Sequence, residues 1–211
     1  PHAHMYPDAF SANMHDKFKG VLKEFGDHGT SIEARVDFLL LDHIHRALRE
    51  AGVPFTLTSQ PELDYGFTIP LLLLTSKLSS WSLAPISPSL LAPQAHYECG
   101  REMAQVLQSE NRRVAIIASA DLSHHANQQS PHGETQEGVA FDRIIRSALV
   151  TRHHAELLGI DPATRDKADQ CGYQPLLMFM GMIEDLNGTM RELCYEAPFG
   201  VGYLTAIFEQ R

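Results

Sequence analysis

The chain has 211 residues with 44% hydrophobic and 20% charged side chains, which suits one globular domain with a substantial core, and no apolar run approaches the roughly eighteen residues of a membrane span. A formal charge of −9, from 17 Lys and Arg against 26 Asp and Glu, argues against a nucleic-acid partner, because phosphate backbones draw clustered Lys and Arg and no basic stripe is present. Cys99, Cys171 and Cys194 are odd in number and irregularly spaced, with no secretory signal, so the expectation is reduced thiols and a cytoplasmic protein.

Residues 1–27 are interrupted by Pro7, Asn13 and Gly20 and read as a loop with short helical or hairpin pieces. Thr30-Ser31-Ile32-Glu33 has the form of a capping box, and Ile32, Val36, Leu39, Leu40, Ile44 and Leu48 keep a helical period up to a stop at Gly52. The spacing therefore predicts a helix across this region. Residues 53–58 are β-rich and short. The run Ile69-Pro70-Leu71-Leu72-Leu73-Leu74 follows Asp64-Tyr65-Gly66, and is too brief for periodicity to separate strand from helix. Residues 79–93 are rich in Pro and Ser and admit an irregular strand near 83–86, whereas residues 94–109 read as a helix.

Residues 113–119 have the length and apolar character of a strand covered on both faces. The run ends in Asp121-Leu122-Ser123-His124-His125, and in open α/β sheets ligands bind in the crevice outside the carboxyl ends of strands. His124 is thus the first candidate for a working residue. A polar loop over 126–137, with Pro131-His132-Gly133, suits a lid beside that strand end. Helices are predicted over 138–150 and 152–159, then an acidic turn at Asp161-Pro162, then Gln170-Cys171-Gly172 ahead of an apolar helix over 173–186. Strands over 191–196 and 201–208, hinged at Pro198 and Gly200, close the chain as an antiparallel edge or hairpin.

Twelve histidines make metal or proton-transfer chemistry plausible, although His43/His45 and His153/His154 fall on predicted helices where solvated or core-edge roles are commoner. Four spots join turn residues to reactive side chains: Pro1-His2-Ala3-His4, Asp64-Tyr65-Gly66, Asp121 to His125, and Gln170-Cys171-Gly172. In order along the chain these, with Gly138-Val139-Ala140-Phe141-Asp142 and Tyr195-Glu196-Ala197-Pro198-Phe199-Gly200-Val201-Gly202-Tyr203, resemble the class III extradiol ring-cleavage dioxygenases. The likeness is to the protocatechuate 4,5-dioxygenase β-subunit type and its Memo-like relatives, and it covers nearly the whole chain.

The resemblance implies a non-haem Fe(II) protein in which two histidines and a carboxylate hold the metal, leaving positions for a catecholic substrate and O₂. His124 matches the family's acid/base histidine and His2 its second metal histidine, with His4 as a substitute. The first metal histidine is expected upstream of Pro1, with a preceding strand, so residues 1–211 are expected to form a single catalytic-type domain lacking that strand. Two positions depart from the pattern. Gln170 stands where relatives carry a carboxylate ligand and supplies no charge, and Tyr65 stands where they carry a histidine, its phenol a poor base at neutral pH. Cys171 matches a cysteine that Memo-like proteins use with histidines, and a thiolate favours copper or zinc over iron. A cysteine packed at a helix start is the alternative.

The expected fold is three-layer α/β/α with a mainly parallel or mixed central sheet, and the site lies at the ends carrying His2, Tyr65 and His124. The expected activity is extradiol cleavage of a small aromatic substrate with O₂, catalysed by His124 and Tyr65, with metal held by His2 and Gln170. Fe(II) leads, copper or zinc follow, and a metal-free protein stays open. The second reading is a catalytically altered, Memo-like metal-binding or protein-interaction module; a zinc hydrolase is a third. By resemblance, the partner would be a second copy or a second subunit.

Overall fold

The computed structural model describes residues 4–211, which divide into two compact units. Of the described residues, the first comprises 4–95 and Glu102–Ser119, the second His96–Arg101 and Ala120–Arg211. The class is α/β, as expected, with helices set among small mixed sheets. No helix among the described residues is long and apolar enough to cross a membrane.

In the first unit, β1 (Phe10–Asn13) pairs in parallel with β4 (Phe55–Thr58) and antiparallel with β6 (Ile86–Ser87). A second sheet joins β2 (Lys17–Leu22) to β3 (Asp27–Arg35) and β5 (Glu62–Leu63). The capping-box expectation fails here, because Thr30 to Glu33 belong to β3, where Ile32 opposes Gly20 and Glu33 opposes Lys19. A ladder with a long partner strand outweighs a local capping preference. Helix α1 (Phe38–Glu50) starts instead at Asp37, whose Oδ1 accepts from Leu40 N–H at 3.1 Å, and it buries Leu40, Leu41, Ile44 and Leu48 on one stripe. The ambiguous apolar run is helix α2 (Tyr65–Thr75), capped by Asp64. Phe18, Ala34, Leu63 and Leu71 form the core between α2 and the second sheet.

Residues 113–119 are not the buried strand their composition predicts. They have no ladder partner among the described residues, and Val114 and Ile117 are 41% and 45% exposed. Apolar content gives β-propensity, but a strand exists only where a neighbouring edge accepts its hydrogen bonds.

The second unit is built around α4 (Gln136–Thr151) and α7 (Tyr173–Ile183), with α5 (His154–Leu158) and α6 (Pro162–Ala168) between them in sequence. The acidic turn expected at Asp161-Pro162 is the start of α6: Asp161 caps it by accepting from Thr164 N–H at 3.1 Å, and Pro162 occupies the first turn. Residues 96–101 come from helix α3 (Pro93–Ser109), and they approach α7 so closely that a Cβ on Gly181 would overlap the Tyr97 carbonyl. Phe141, Ile145, Leu149, Leu157, Tyr173 and Leu177 fill the core. The predicted hairpin is present as β7 (Gly188–Glu196) and β8 (Tyr203–Gln210), packing Met190, Tyr195, Leu204 and Phe208 against that core.

Candidate functional site

Residues 120–125 form the opening strand-like tip of the second unit, and their backbone is tied on every side. Leu122 N–H donates to Gly202 O at 2.9 Å, Gly202 N–H to Ser123 O at 2.8 Å, and His124 N–H to Ala168 O at 2.9 Å. Ser123 Oγ donates to the same Ala168 carbonyl at 3.1 Å and accepts from His125 N–H at 2.9 Å. The Ser130 hydroxyl closes on His124 O at 2.7 Å. Two neighbouring polar loops thus fix the direction in which Asp121 and His124 leave the chain.

Cys171 is brought to that tip by the turn between α6 and α7, where Asp169 adopts a left-handed conformation with φ 47°. Asp121 N–H donates to Cys171 Sγ at 3.2 Å, and the thiol lies 3.8 Å from Asp121 O. Ligand atoms of Asp121, His124 and Cys171 all lie within 4.8 Å of one another. His124 Nε2 stands 4.0 Å from Asp121 Oδ2, and Nδ1 stands 3.8 Å from Asp169 Oδ2. Nε2 is shielded from solvent and has no partner in strict hydrogen-bonding geometry, which is an open coordination or proton-accepting position in a half-buried setting.

The electrostatics of this cluster favour charge. His124 is raised above its ordinary 6.5 by its contact with Cys171, against the opposing effect of burial, and Asp169 and Asp121 add to the rise. For Cys171, burial works to raise the thiol, but His124 and the Asp121 amide outweigh it and leave the thiol below its ordinary 9.0. Burial pushes the Tyr203 phenol up, and the charges of Asp121 and Cys171 reinforce that, so a neutral phenol faces the cluster.

The sequence-derived candidates distribute unevenly. His124 is in the cluster. His2 lies outside the described residues, and His4, in the first unit, meets Tyr6 edge-on with ring centroids 4.7 Å apart. Tyr65 is also in the first unit, at the start of α2, where its ring meets Phe25 edge-on at 5.1 Å. Gln170 Oε1 accepts from Tyr173 N–H at 2.8 Å, so the role this side chain visibly plays is to cap α7. Sequence reasoning gave no role to Asp121, Asp169 or Tyr203. Their signal was their place in the motifs beside His124, Cys171 and Gly202, which carries no information about which way a side chain turns.

One carboxylate and one thiol ready to ionise, with an imidazole beside them, fit a borderline divalent ion. His124 Nε2, shielded from solvent and without a hydrogen-bond partner beside that thiol, is left for proton transfer next to such an ion.

Residues 1–206 match the family model described as the catalytic LigB subunit of aromatic ring-opening dioxygenase. A protein of Clostridium acetobutylicum is 24% identical over 212 residues, covering 96% of this chain and 45% of its own length. A MEMO1-family protein of Methanococcus maripaludis is 26% identical over 58% of this chain and 40% of its own length. A 2,3-dihydroxyphenylpropionate/2,3-dihydroxicinnamic acid 1,2-dioxygenase of Photorhabdus laumondii is 31% identical over 37% of this chain and 26% of its own length. The chain therefore spans less than half the length of these curated relatives.

Proposed function

This chain belongs to the family of the catalytic LigB subunit of aromatic ring-opening dioxygenases, and from that premise we propose that it is a metal-dependent, extradiol dioxygenase-like protein acting on a catecholic ring with O₂. The observation that carries the reading is the partnerless, solvent-shielded His124 Nε2 within the Asp121, His124 and Cys171 cluster. Asp121 and Cys171 are the residues that would hold the ion, with His124 beside them. When bound, the ion supplies the electron-transfer centre that reaction of a ring with O₂ requires.

His124 does the proton work. Its basicity is raised above the ordinary imidazole value by the Cys171 contact and by Asp169 and Asp121, which strengthens it as a proton acceptor. At Nε2 it would accept the proton of a substrate hydroxyl and later return one, with Asp121 and Asp169 on either side stabilising the imidazolium between those events. Tyr203, held neutral, is a hydrogen-bond donor suited to a substrate oxygen.

A second reading, a metal-binding module without ring cleavage, is favoured by the neutral Gln170 cap and by the MEMO1-family relatives. Metal analysis with oxygen uptake on a catechol panel separates the two. Bound iron with catechol-dependent oxygen consumption, abolished in His124→Ala, is expected; an iron-free protein inert towards every catechol overturns the first reading. Gln170→Glu sharpens the result, because a gain in iron affinity identifies position 170 as a ligand. A homodimer or a second subunit is the assembly we propose for it.

A further inference from the structure

The second unit contains a buried polar chain that the proposed chemistry does not use. Asp142, on α4, is 2% exposed and is the one buried Asp, Glu, Lys or Arg among the described residues. Its Oδ1 accepts from Ser123 N–H at 2.8 Å, and its Oδ2 accepts from Tyr195 O–H at 2.6 Å. Tyr195 in turn lies beneath Arg146, whose guanidinium carbon is 4.3 Å from the ring centroid and which binds Glu192 through two nitrogens at 2.7 and 3.0 Å. The backbone has been shaped around this carboxylate. A Cβ at Gly202 would overlap Asp142 Oδ2, and one at Gly138 would collide with Ser123 Oγ at 2.5 Å.

A buried carboxylate is costly, and an apolar residue of similar size would serve packing better. The two bonds it makes are directional, and one of them goes to the amide immediately before His124. Ser123 N–H and Ser123 Oγ face different anchors, Asp142 and Ala168, so rotation of the 122–124 backbone would break both. Removing the carboxylate leaves the Ala168 and Gly202 contacts in place but frees that amide.

We propose that Asp142 is a positioning residue, held by Tyr195, that fixes the Ser123 amide so that Asp121 and His124 face Cys171. The proposal rests on the reading that this tip carries the site, and it acts through the backbone without Asp142 touching substrate or metal. Groups one layer behind ligands commonly change metal affinity by 10- to 100-fold, and Asp142 sits at or just beyond that layer.

The test uses the full chain with Co(II) as the probe, and two variants: Asp142→Asn, which keeps the shape and removes the charge, and Tyr195→Phe, which removes only the hydroxyl. Tyr173→Phe is the control, since it deletes another buried hydroxyl, bonded to Leu157 O at 2.9 Å, away from the tip. Hydrogen exchange is expected to quicken in peptides spanning 121–125 in both variants. The Co(II) dissociation constant is expected to rise about tenfold, with a shift of the Cys171-dependent thiolate-to-cobalt absorption. The control should lose thermal stability without either change. Exchange and Co(II) binding at wild-type level in both variants, or equal changes in Tyr173→Phe, overturn the proposal. If Asp142→Asn does not fold, Tyr195→Phe decides. If the wild type shows no Cys171-dependent cobalt absorption, the metal reading fails by itself, and the exchange result alone decides for or against Asp142.

Discussion

Two adjacent stretches of this chain are held in opposite ways. Residues 120–125 are half-buried to buried, and their amides and carbonyls meet Asp142, Ala168, Ser130 and Gly202. Residues 113–119 are mostly exposed, are more apolar, and have no ladder partner among the described residues. The polar stretch is therefore the one anchored by hydrogen bonds among the described residues. What holds it is a set of directional bonds to neighbouring polar groups. Precision at the candidate site comes from these polar anchors.

The largest expected effect attacks the anchored stretch. Asp142→Ala leaves the Ser123 amide and the Tyr195 hydroxyl without partners in a buried setting, and should cost about 3 kcal/mol, at roughly 1–3 kcal/mol for each orphaned group. Denaturant unfolding followed through Trp81-independent far-UV signal measures it. A loss below about 1 kcal/mol would mean that the tip does not depend on this carboxylate, and the contrast between the two stretches would lose its physical basis.

A second, smaller effect comes from the charges that the anchored tip carries. His124 is held above its ordinary 6.5, so its contribution to stability is full below pH 6.5 and fades as pH rises through the raised value. Cys171 is held below its ordinary 9.0, so its thiolate contributes above pH 9.0 and loses that contribution as pH falls through the lowered value. Alkylation of Cys171 followed by peptide mass spectrometry should show a midpoint below the ordinary thiol range, and His124→Gln should move it upward. The same substitution should flatten the fall in unfolding midpoint above pH 6.5. An alkylation midpoint indifferent to His124 would separate the two side chains electrostatically.

The parts of the fold that were legible in the sequence are those decided by nearby residues. Helices α3, α4 and α7 and the β7/β8 hairpin follow from local period and turn residues, and each lies within a few residues of its expected position. The start of α1 was misplaced because Glu33 pairs opposite Lys19 in a ladder, a contact that no capping rule contains. Helix α6 is only seven residues long and gives periodicity nothing to work on. His124 could be singled out from its motif, but Asp121 meets Cys171 across 50 residues of sequence and Ser123 meets Asp142 across 19. Such pairs depend on how α4 and the α6–α7 turn pack, and residue type alone does not specify that.

The smallest expected effect is at Ile117, and it tests the other side of the contrast. A fully buried isoleucine is worth about 1.5–3 kcal/mol, but Ile117 is 45% exposed, so Ile117→Ser should cost under about 1 kcal/mol in this chain. Val114→Ser, at 41% exposure, should behave alike, and the pair should be close to additive because both side chains are substantially exposed. The measurement is the denaturant midpoint at constant slope, together with hydrogen exchange across 113–119, which should be fast in the wild type and unchanged in the variants. A loss above about 2 kcal/mol, or slow exchange in this stretch, would mean that the run is paired and buried in solution, and that its apolar residues help to order the tip after all.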